Sequence, residues 1–428
     1  MKVVLARKPA AAAAAVRVEA RASGHTHPRH AAPVGTDADL RAARELAWAG
    51  QHAAAVERVT SALVASASAA KRLALLDIRV ESLLAQGETS RARSDADAMV
   101  AQTKRGRPAA LASLSLRCLS NVQRQSGEER AAVTTATAAL AAAKRSRSKP
   151  EIALCLMSLA GAQTRARIDV DAALANARQA QHLFADLGDS LHRGRALHVE
   201  SIAQHILGHS AESERSAAEA LTLARVAGDR YGEGGALNML YRMHTDVGVQ
   251  LRGLRAALAA HEAAGHVVAQ AGILNNLCLT YAPLGLHRHA RRTMLHAMRI
   301  FRRTHAAGAV VNGLLVLSVL EGRLGDRVAQ RRCVDEAATS NATLADRFHD
   351  PTIALCRGLI ALASGDARAA LPDLQMAVEG VAGRAETSYE IAFLTYLGQT
   401  RLRLGDAAGA LAATTRATTL FRARERRT

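Results

Sequence analysis

Residues 277–297 read LCLTYAPLGLHRHARRTMLHA and contain the spacing that decides the fold. Gly285 is followed five residues later by Ala290 and twelve residues later by Ala297. The two alanines are seven residues apart, so they share one face of a helix. Glycine readily adopts the left-handed conformation in which helices end. The stretch therefore predicts one helix that ends at Gly285 and a second helix whose small residues pack closely against the first.

The same glycine recurs along the chain with a nearly constant period. Five of the eight steps between successive glycines are 40 residues, two are 37 and one is 81. The long step passes a repeat near Ile168 in which Asp169 occupies the turn. Further glycines at 188, 228 and 265 lie about halfway between members of the first set, which predicts two helices of similar length per repeat. The first set consists of glycines 50, 87, 127, 208, 248, 285, 325, 365 and 405.

Small residues recur at the same two distances from each turn glycine. This regularity predicts a close helix contact in every repeat, with Gln330 and Met99 as the two exceptions. The repeat near Ile168 contributes Ala173 and Ala180. Five residues after the glycine stand Ala55, Ala92, Ala132, Ser213, Gly253, Ala290, Gln330, Ala370 and Ala410. Twelve residues after it stand Ala62, Met99, Ala139, Ala220, Ala260, Ala297, Ala337, Ala377 and Ala417.

Aspartate follows five of the turn glycines. An aspartate at the start of a helix accepts hydrogen bonds from the free backbone amides of the first turn. We therefore expect these five aspartates to cap the helices that follow, and we interpret the glycines of residues 228–235 as a linker between repeats. The five are Asp189, Asp229, Asp326, Asp366 and Asp406.

These residues resemble the tetratricopeptide repeat (TPR) superfamily. The resemblance covers residues 37 to about 423 as ten helix pairs, and it implies an all-α fold, a right-handed α-solenoid. The period near 40 residues exceeds the family's usual value of about 34, and most bulky aromatic positions are lost. A HEAT-type solenoid also accepts this period but does not require the turn glycine with its fixed small residues. The motif is matched best by Leu277, Tyr281, Gly285, Ala290 and Ala297, and partly by Leu397, Gly398, Gly405, Ala410 and Ala417.

A narrower resemblance comes from the linker style at 227–233 and from the Leu-Asn-Asn-Leu segment at 274–277. Both are similar to the long-period arrays of bacterial nucleotide cyclases and large transcription activators. On either side of the repeats, we expect residues 1–36 to form a disordered, basic, Ala-rich tail and residues 424–428 to form a basic C-terminal end.

The motifs of several enzyme classes are absent. The chain lacks GxxxxGK[ST], HExxH, GxSxG and CxxC, and the ten helix pairs use nearly all residues after 36. We therefore expect no enzyme, no cofactor and no metal site. The five cysteines are far apart in sequence and predict small buried residues in a reducing compartment. No run is long and apolar enough to predict a transmembrane helix, and no secretory signal is evident.

A partner is expected on the concave face, which first helices line in the resembled family. The outward positions on these helices are polar and net basic. Asparagine can pair with both backbone groups of an extended peptide, and arginine can hold a carboxylate. Asn238, Arg242 and Asn275, from adjacent repeats, are the first choice as a cluster. The full set is Arg117, Asn121, Arg124, Arg165, His198, His205, Asn238, Arg242, Asn275, Arg323, Gln399 and Arg403.

The charge of the chain is +18 and is carried mostly by arginine. Residues 263–320 contain no acid, and within them lies a basic patch made of Arg288, Arg291, Arg292, Arg299, Arg302 and Arg303. Such a patch suits an acidic partner. Nucleic acid is a possible but weaker interpretation, since the chain is only 3% aromatic and base stacking needs aromatic side chains.

The sequence thus leads to one main hypothesis and two alternatives. The main hypothesis is a cytoplasmic, non-catalytic scaffold or sensor that binds a protein or peptide, possibly acidic, in a bacterial signalling system. One alternative is the regulatory TPR region of a longer cyclase or activator. The other is a basic solenoid that binds nucleic acid.

Overall fold

The computed structural model describes residues 38–66, 68–103, 108–242, 244–344, 347–383 and 387–425. The tail expected at residues 1–36 lies outside these residues, as do the last three residues of the chain. The described part contains ten helix pairs without a strand. The helices are α1 (Ala38–Trp48), α2 (His52–Ala65), α3 (Ala69–Gln86), α4 (Thr89–Thr103), α5 (Ala109–Ser126), α6 (Glu129–Ser146), α7 (Lys149–Ala166), α8 (Val170–Asp186), α9 (Ser190–Leu207), α10 (Ser210–Ala227), α11 (Arg230–Tyr241), α12 (Val247–Ala263), α13 (Val267–Tyr281), α14 (His287–Arg303), α15 (Ala307–Leu324), α16 (Arg327–Ala342), α17 (Asp350–Ala363), α18 (Ala367–Val381), α19 (Thr387–Arg403) and α20 (Ala407–Glu425).

The predicted turn glycines end helices, with one exception. Gly87, Gly127 and Gly208, for example, have φ angles of 80°, 83° and 84°, which only glycine adopts without a side-chain clash. The prediction for Gly248 is wrong, because this glycine lies in the first turn of α12. The carboxylate of Asp246 accepts a hydrogen bond from the backbone N of Val249 at 2.9 Å and so starts that helix before Gly248.

Four of the five aspartates that follow a glycine cap a helix as predicted. Asp189, Asp326, Asp366 and Asp406 each accept a hydrogen bond from the backbone amide three residues later. Asp229 is the exception, since its carboxylate is held by an arginine of the preceding pair. The interpretation of residues 228–235 as a linker is also wrong, because Arg230 already begins α11.

The small residues lie between the two helices of each pair. Ala132, Ala139 and Ala290 have no exposed surface, and the other members of both sets are buried as well. One of the two exceptions to the small-residue rule, Gln330, is balanced by a glycine on the first helix. A Cβ at Gly322 would lie 2.6 Å from Nε2 of Gln330, so the larger side chain fits only because that position is glycine.

The array curves until its beginning meets its sixth and seventh pairs. Helix α3 contacts α13, and Nε2 of His52 lies 3.0 Å from the carbonyl O of Ala264. A Cβ added at Gly50 would lie 2.6 Å from the carbonyl O of Ala263, and one added at Gly87 would lie 2.1 Å from Cγ2 of Thr304. We call these contacts the closure. Because of the closure, the first helices α3 to α13 surround a common interior.

Replacing Gly87 by alanine should open the closure. Alanine at a left-handed φ costs about 1 kcal/mol, and the clash with Thr304 should add about 1–3 kcal/mol as overpacking. Gly127→Ala is the matched control, since Gly127 has nearly the same φ but no atom within 4 Å of its would-be Cβ. Chemical denaturation and small-angle X-ray scattering should therefore show a larger loss of stability and a larger radius for Gly87→Ala. Equal effects of the two changes would contradict the closure.

The packing bears on two expectations from the sequence, the buried cysteines and the apolar helices. All five cysteines are buried and free, as predicted. Among the described helices, α15 is the one long and apolar enough to span a membrane by length and composition. Its buried residues, among them Val311 and Leu314, pack in one cluster with Met294 and Met298 of α14. The apolar character of α15 thus contributes to the core between adjacent pairs.

Candidate functional site

Charged and aromatic side chains from distant first helices meet in the interior. The pKa of Glu81 on α3 is raised by burial and by the charge of Asp77. The charges of Arg117 and Arg195 partly oppose this rise. Arg195 belongs to α9, three pairs further along the chain. Glu81 is nevertheless exposed to solvent, so the interior is an accessible space lined by charge. We call the group that lines it the interior cluster: Asp77, Glu81, Arg117, Arg124, Arg195, His198, Asp229, Tyr231, Arg242, His261 and His266.

A buried ion pair links the second and third helix pairs. The carboxylate of Asp77 accepts hydrogen bonds from Nη2 of Arg117 at 3.2 Å and from Sγ of Cys118 at 2.9 Å. Arg117 is only 6% exposed. Burial opposes its charge, but the carboxylate of Asp77 outweighs burial and raises the pKa of Arg117. The guanidinium that the sequence suggests as a ligand contact is thus already engaged by an acid of the same protein.

A second buried ion pair links α9 to the start of α11. Arg195 donates to both carboxylate oxygens of Asp229, from Nε at 2.8 Å and from Nη2 at 3.1 Å. The guanidinium also lies 5.5 Å from the ring centre of Tyr231, within the range of a cation–π contact. Burial acts against the charge of Asp229, yet Arg195 overcomes it and lowers the pKa of this carboxyl. The pair fixes Tyr231 at the edge of the interior.

Histidines pack around Tyr231. Its ring stacks on that of His266 with 4.5 Å between ring centres, and the ring of His261 lies 5.6 Å away. Burial lowers the pKa of His198 and His261 to about 4 and that of His266 to about 3. These rings therefore stay neutral at neutral pH.

The glycines of α11 make room for two of these rings. A Cβ at Gly234 would lie 2.7 Å from His261, and one at Gly235 would lie 2.9 Å from His198. The glycines that resemble a linker in the sequence thus allow imidazole rings to pack directly on the helix backbone.

Asparagines of adjacent first helices form hydrogen bonds with each other. Nδ2 of Asn276 donates to Oδ1 of Asn238 at 2.7 Å, and Nδ2 of Asn312 donates to Oδ1 of Asn275 at 3.5 Å. In the third and fourth pairs, the hydroxyl of Ser158 donates to Oδ1 of Asn121 at 3.1 Å. Within the described residues, the Nδ2 groups of Asn238 and Asn275 make no hydrogen bond. They are therefore available to donate to the carbonyl groups of a ligand.

The predicted groove residues fall into two groups. Nine of them lie on α5, α7, α9, α11 and α13 or directly after α11, and the charge of Arg242 adds to burial in lowering the pKa of His198. Arg165 also makes an ion pair with Glu129 at 3.4 Å. Arg323, Gln399 and Arg403 lie on α15 and α19, beyond the helices that surround the interior.

Several members of the interior cluster were missed at the level of sequence. They are Asp77, Glu81, Arg195, Asp229, Tyr231, His261 and His266. The one available signal was Tyr231, a rare aromatic residue in a chain with five tyrosines. The others carry no periodic signature, because only the closure brings their helices together.

The predicted basic patch lies on α14, a second helix, and all six arginines are exposed. Two of them are neutralised, since Arg291 pairs with Glu321 at 2.6 Å and Arg302 pairs with Glu336 at 2.7 Å. Among the described residues the other four have no ion pair. One of these, Arg303, borders a cleft of about 490 Å³ at the closure.

The described residues contain no group of three or more histidine, cysteine or acidic side chains that could hold a metal ion. The described side chains of the interior offer hydrogen bonding, charge and aromatic contact. Asparagine amides, an arginine and a tyrosine are suited to binding a polar, extended ligand.

No protein-family model matches the chain, and no curated protein sequence matches it. Solved structures do match. A Rap protein complexed with competence and sporulation factor has a TM-score of 0.64 at 12% identity, over 84% of this chain and 99% of the Rap protein. The apo form of the quorum sensor NprR from B. thuringiensis has a TM-score of 0.54 at 11% identity, over 81% and 97%.

A third match, the apo form of RapI, has a TM-score of 0.50 at 13% identity, over 64% of this chain and 99% of RapI. The narrower resemblance to cyclase and activator arrays stays a prediction. At these identities the matches show the architecture, and they agree with the glycine and small-residue pattern of the helix pairs. The chain is a TPR-like α-solenoid.

Proposed function

We propose that this protein is a cytoplasmic, non-catalytic receptor of a signalling system that binds a peptide or a peptide segment of a protein in its interior. The observation that carries the proposal is the set of asparagine amides on adjacent first helices, of which Asn238 lies one turn before Arg242 of the interior cluster. Amides repeated at the spacing of the helix pairs suit the repeated carbonyl and amide groups of an extended chain.

The comparisons support the same proposal. One structure of this fold was solved with competence and sporulation factor, and another is described as a quorum sensor. The closure adds a physical reason, because ligands held in an enclosed site bury most of their surface and exclude water from their hydrogen bonds. A protein that binds a peptide without catalysing a reaction can act as a sensor or as a scaffold.

The patch on α14 favours nucleic acid as a second candidate. Four arginines that have no ion pair among the described residues are a modest charge for this purpose, and nucleic-acid grooves usually add aromatic side chains for base stacking. The aromatic residue of α14, Phe301, is buried in the core. Peptide binding in the interior is therefore the better supported function.

The test uses the peptide fraction extracted from the native cells. We expect this fraction to raise the melting temperature of the full chain, and we expect proteinase treatment of the fraction to abolish the shift. Replacing Asn238 and Asn275 by alanine should weaken binding at least about tenfold, since each lost hydrogen bond contributes roughly 1 kcal/mol.

The control for this experiment is Arg299→Glu on the exposed face of α14, which should leave the shift unchanged. Circular dichroism should show the same helix content for all variants. A shift that survives in the Asn238→Ala, Asn275→Ala variant, or that survives proteinase treatment, would contradict the proposal.

A further inference from the structure

One arginine recurs at the same position of four successive second helices. It stands seven residues after the glycine of the repeat in the fifth to eighth pairs, on α10, α12, α14 and α16. In the five other pairs that have this glycine, the position holds Glu57, Ser94, Thr134, Pro372 or Ala412. The arginine is therefore no general requirement of the repeat. We call the set the outer ridge: Arg215, Arg255, Arg292 and Arg332.

Helix geometry turns the outer ridge away from the first helices. In these four second helices the residues five and twelve positions after the glycine are buried. At 3.6 residues per turn, the ridge position lies about 140–160° around the helix from each of them. Neighbouring first helices such as α7 and α9 contact each other directly, so the second helices form the outer layer. All four arginines are exposed, and the ridge thus lies on the outer face, away from the interior cluster.

The guanidinium groups of the outer ridge are available to a ligand. Arg215 makes an ion pair with Glu212 at 3.6 Å, but its side chain is 76% exposed, so solvent screens this pair. Arg255 donates to the hydroxyl of Tyr281 at 3.1 Å, which is a neutral partner. The other two arginines of the ridge have no ion pair within the described residues. Positive charge that recurs once per helix pair without a strong counter-ion attracts an anionic partner.

The spacing of the outer ridge suits an extended chain. An ion pair of 2.7 Å between Arg302 of α14 and Glu336 of α16 shows that side chains of neighbouring second helices reach each other. Packed helices lie about 8–10 Å apart, so successive ridge arginines recur at intervals on the order of 10 Å. An extended peptide advances about 3.3 Å per residue. A peptide with an acid at every third residue therefore brings one carboxylate to each pair.

The shape and composition of this face favour a protein segment over nucleic acid. The four second helices contain one phenylalanine, tyrosine or tryptophan, Phe301, and it is buried. The face therefore lacks the aromatic surface on which the bases of a single strand stack. A duplex is stiff over about 150 base pairs, and the outer face of a curved array bends away from such a rod. A flexible chain can follow the curve.

We propose that the outer ridge is a second binding surface, separate from the interior, for a flexible acidic segment of a partner protein. Each guanidinium can donate two parallel hydrogen bonds to one carboxylate. A single exposed ion pair contributes little, so binding depends on several arginines in register and weakens as salt is added. The inference does not depend on the proposed function, because the two surfaces lie on opposite sides of the helix pairs.

The test measures the binding of a fluorescein-labelled peptide of repeated Glu-Ser-Gly units to the full chain by fluorescence anisotropy. Replacing all four ridge arginines by glutamate should weaken binding at least about tenfold, because attraction becomes repulsion. Replacing them by glutamine should have an intermediate effect. Circular dichroism should show the same helix content for both variants, since the four side chains are exposed.

The matched control carries four reversals to glutamate at exposed positions on other second helices. Its net charge equals that of the ridge variant, so a difference between the two reports the position of the arginines and not the total charge. We expect the control to retain most of the binding. The four control positions are Arg130, Arg145, Arg368 and Arg422.

The outcomes decide both the surface and the partner. Equal losses in the ridge variant and the control, or no binding by the wild-type chain at low salt, would overturn the ridge. Single-stranded or duplex DNA of equal charge that binds through the ridge more tightly than the peptide would overturn the choice of partner. The Asn238→Ala, Asn275→Ala variant should bind the acidic peptide as the wild type does, which keeps this test separate from that of the proposed function.

Discussion

Replacing Arg117 by methionine should lower the free energy of unfolding by about 3 kcal/mol. The change leaves the carboxylate of Asp77 in the interior without its counter-ion, and removing one partner of a buried ion pair is far more costly than removing both. Asp77 itself keeps 23% of its side chain exposed, which places the expected loss at the lower end of the range for buried pairs. Chemical denaturation measures the effect.

A second variant makes this prediction specific. Adding Asp77→Leu to Arg117→Met should restore most of the lost stability, because no uncompensated charge remains. Arg130→Met, at an exposed position, should change the free energy of unfolding by less than about 0.5 kcal/mol. If the double variant is less stable than Arg117→Met, the pair does not act through charge compensation.

Acidification should destabilise the protein well above the pH at which its carboxylates titrate. The pKa values of His198 and His261 in the folded protein are about 4, and that of His266 is about 3. In the unfolded chain a histidine titrates near 6.5. Between these values the unfolded state binds more protons than the folded state, so stability rises with pH in this window and is lost as pH falls through it.

The expected size of the effect follows from the same values. Lowering the pH from 7 to 5 should cost about 2 kcal/mol for His261, which is almost fully buried, and somewhat less for His198 and His266. Denaturation curves at several pH values measure the total. His261→Leu should reduce the slope of stability against pH, whereas His209→Leu, at an exposed position, should not. The same slope in all three proteins would contradict the burial of these rings.

The repeat pattern predicted the helix pairs because their contacts are local. In a solenoid each pair packs on its sequence neighbours, so the residues at a helix contact recur with the period of the chain. The alanines at 132 and 139 and the turn at Gly127 could therefore be placed from the sequence. The position of Gly248 could not be predicted in this way, because the cap formed by Asp246 shifted the start of α12 by two residues.

The candidate site was predicted only in part, for a different physical reason. Arg124 and Asn238 could be expected on the concave face because the first helices line it in the resembled family. Whether Arg124 finds a counter-ion depends on helices far away in sequence. Asp229 and Asp326 both follow a turn glycine, yet one pairs with Arg195 and the other caps a helix. Local sequence does not distinguish these two outcomes.

The sequence by itself determined the α-solenoid, the number of helix pairs and the small residues between paired helices, since these depend on helix periodicity and neighbour packing. The closure was decided only by the tertiary structure. Gly87 and Gly127 have the same role in their repeats, but Gly87 alone meets Thr304 across the array. The accumulated curvature of six to seven pairs brings these segments together, and that curvature encloses the charges of the interior.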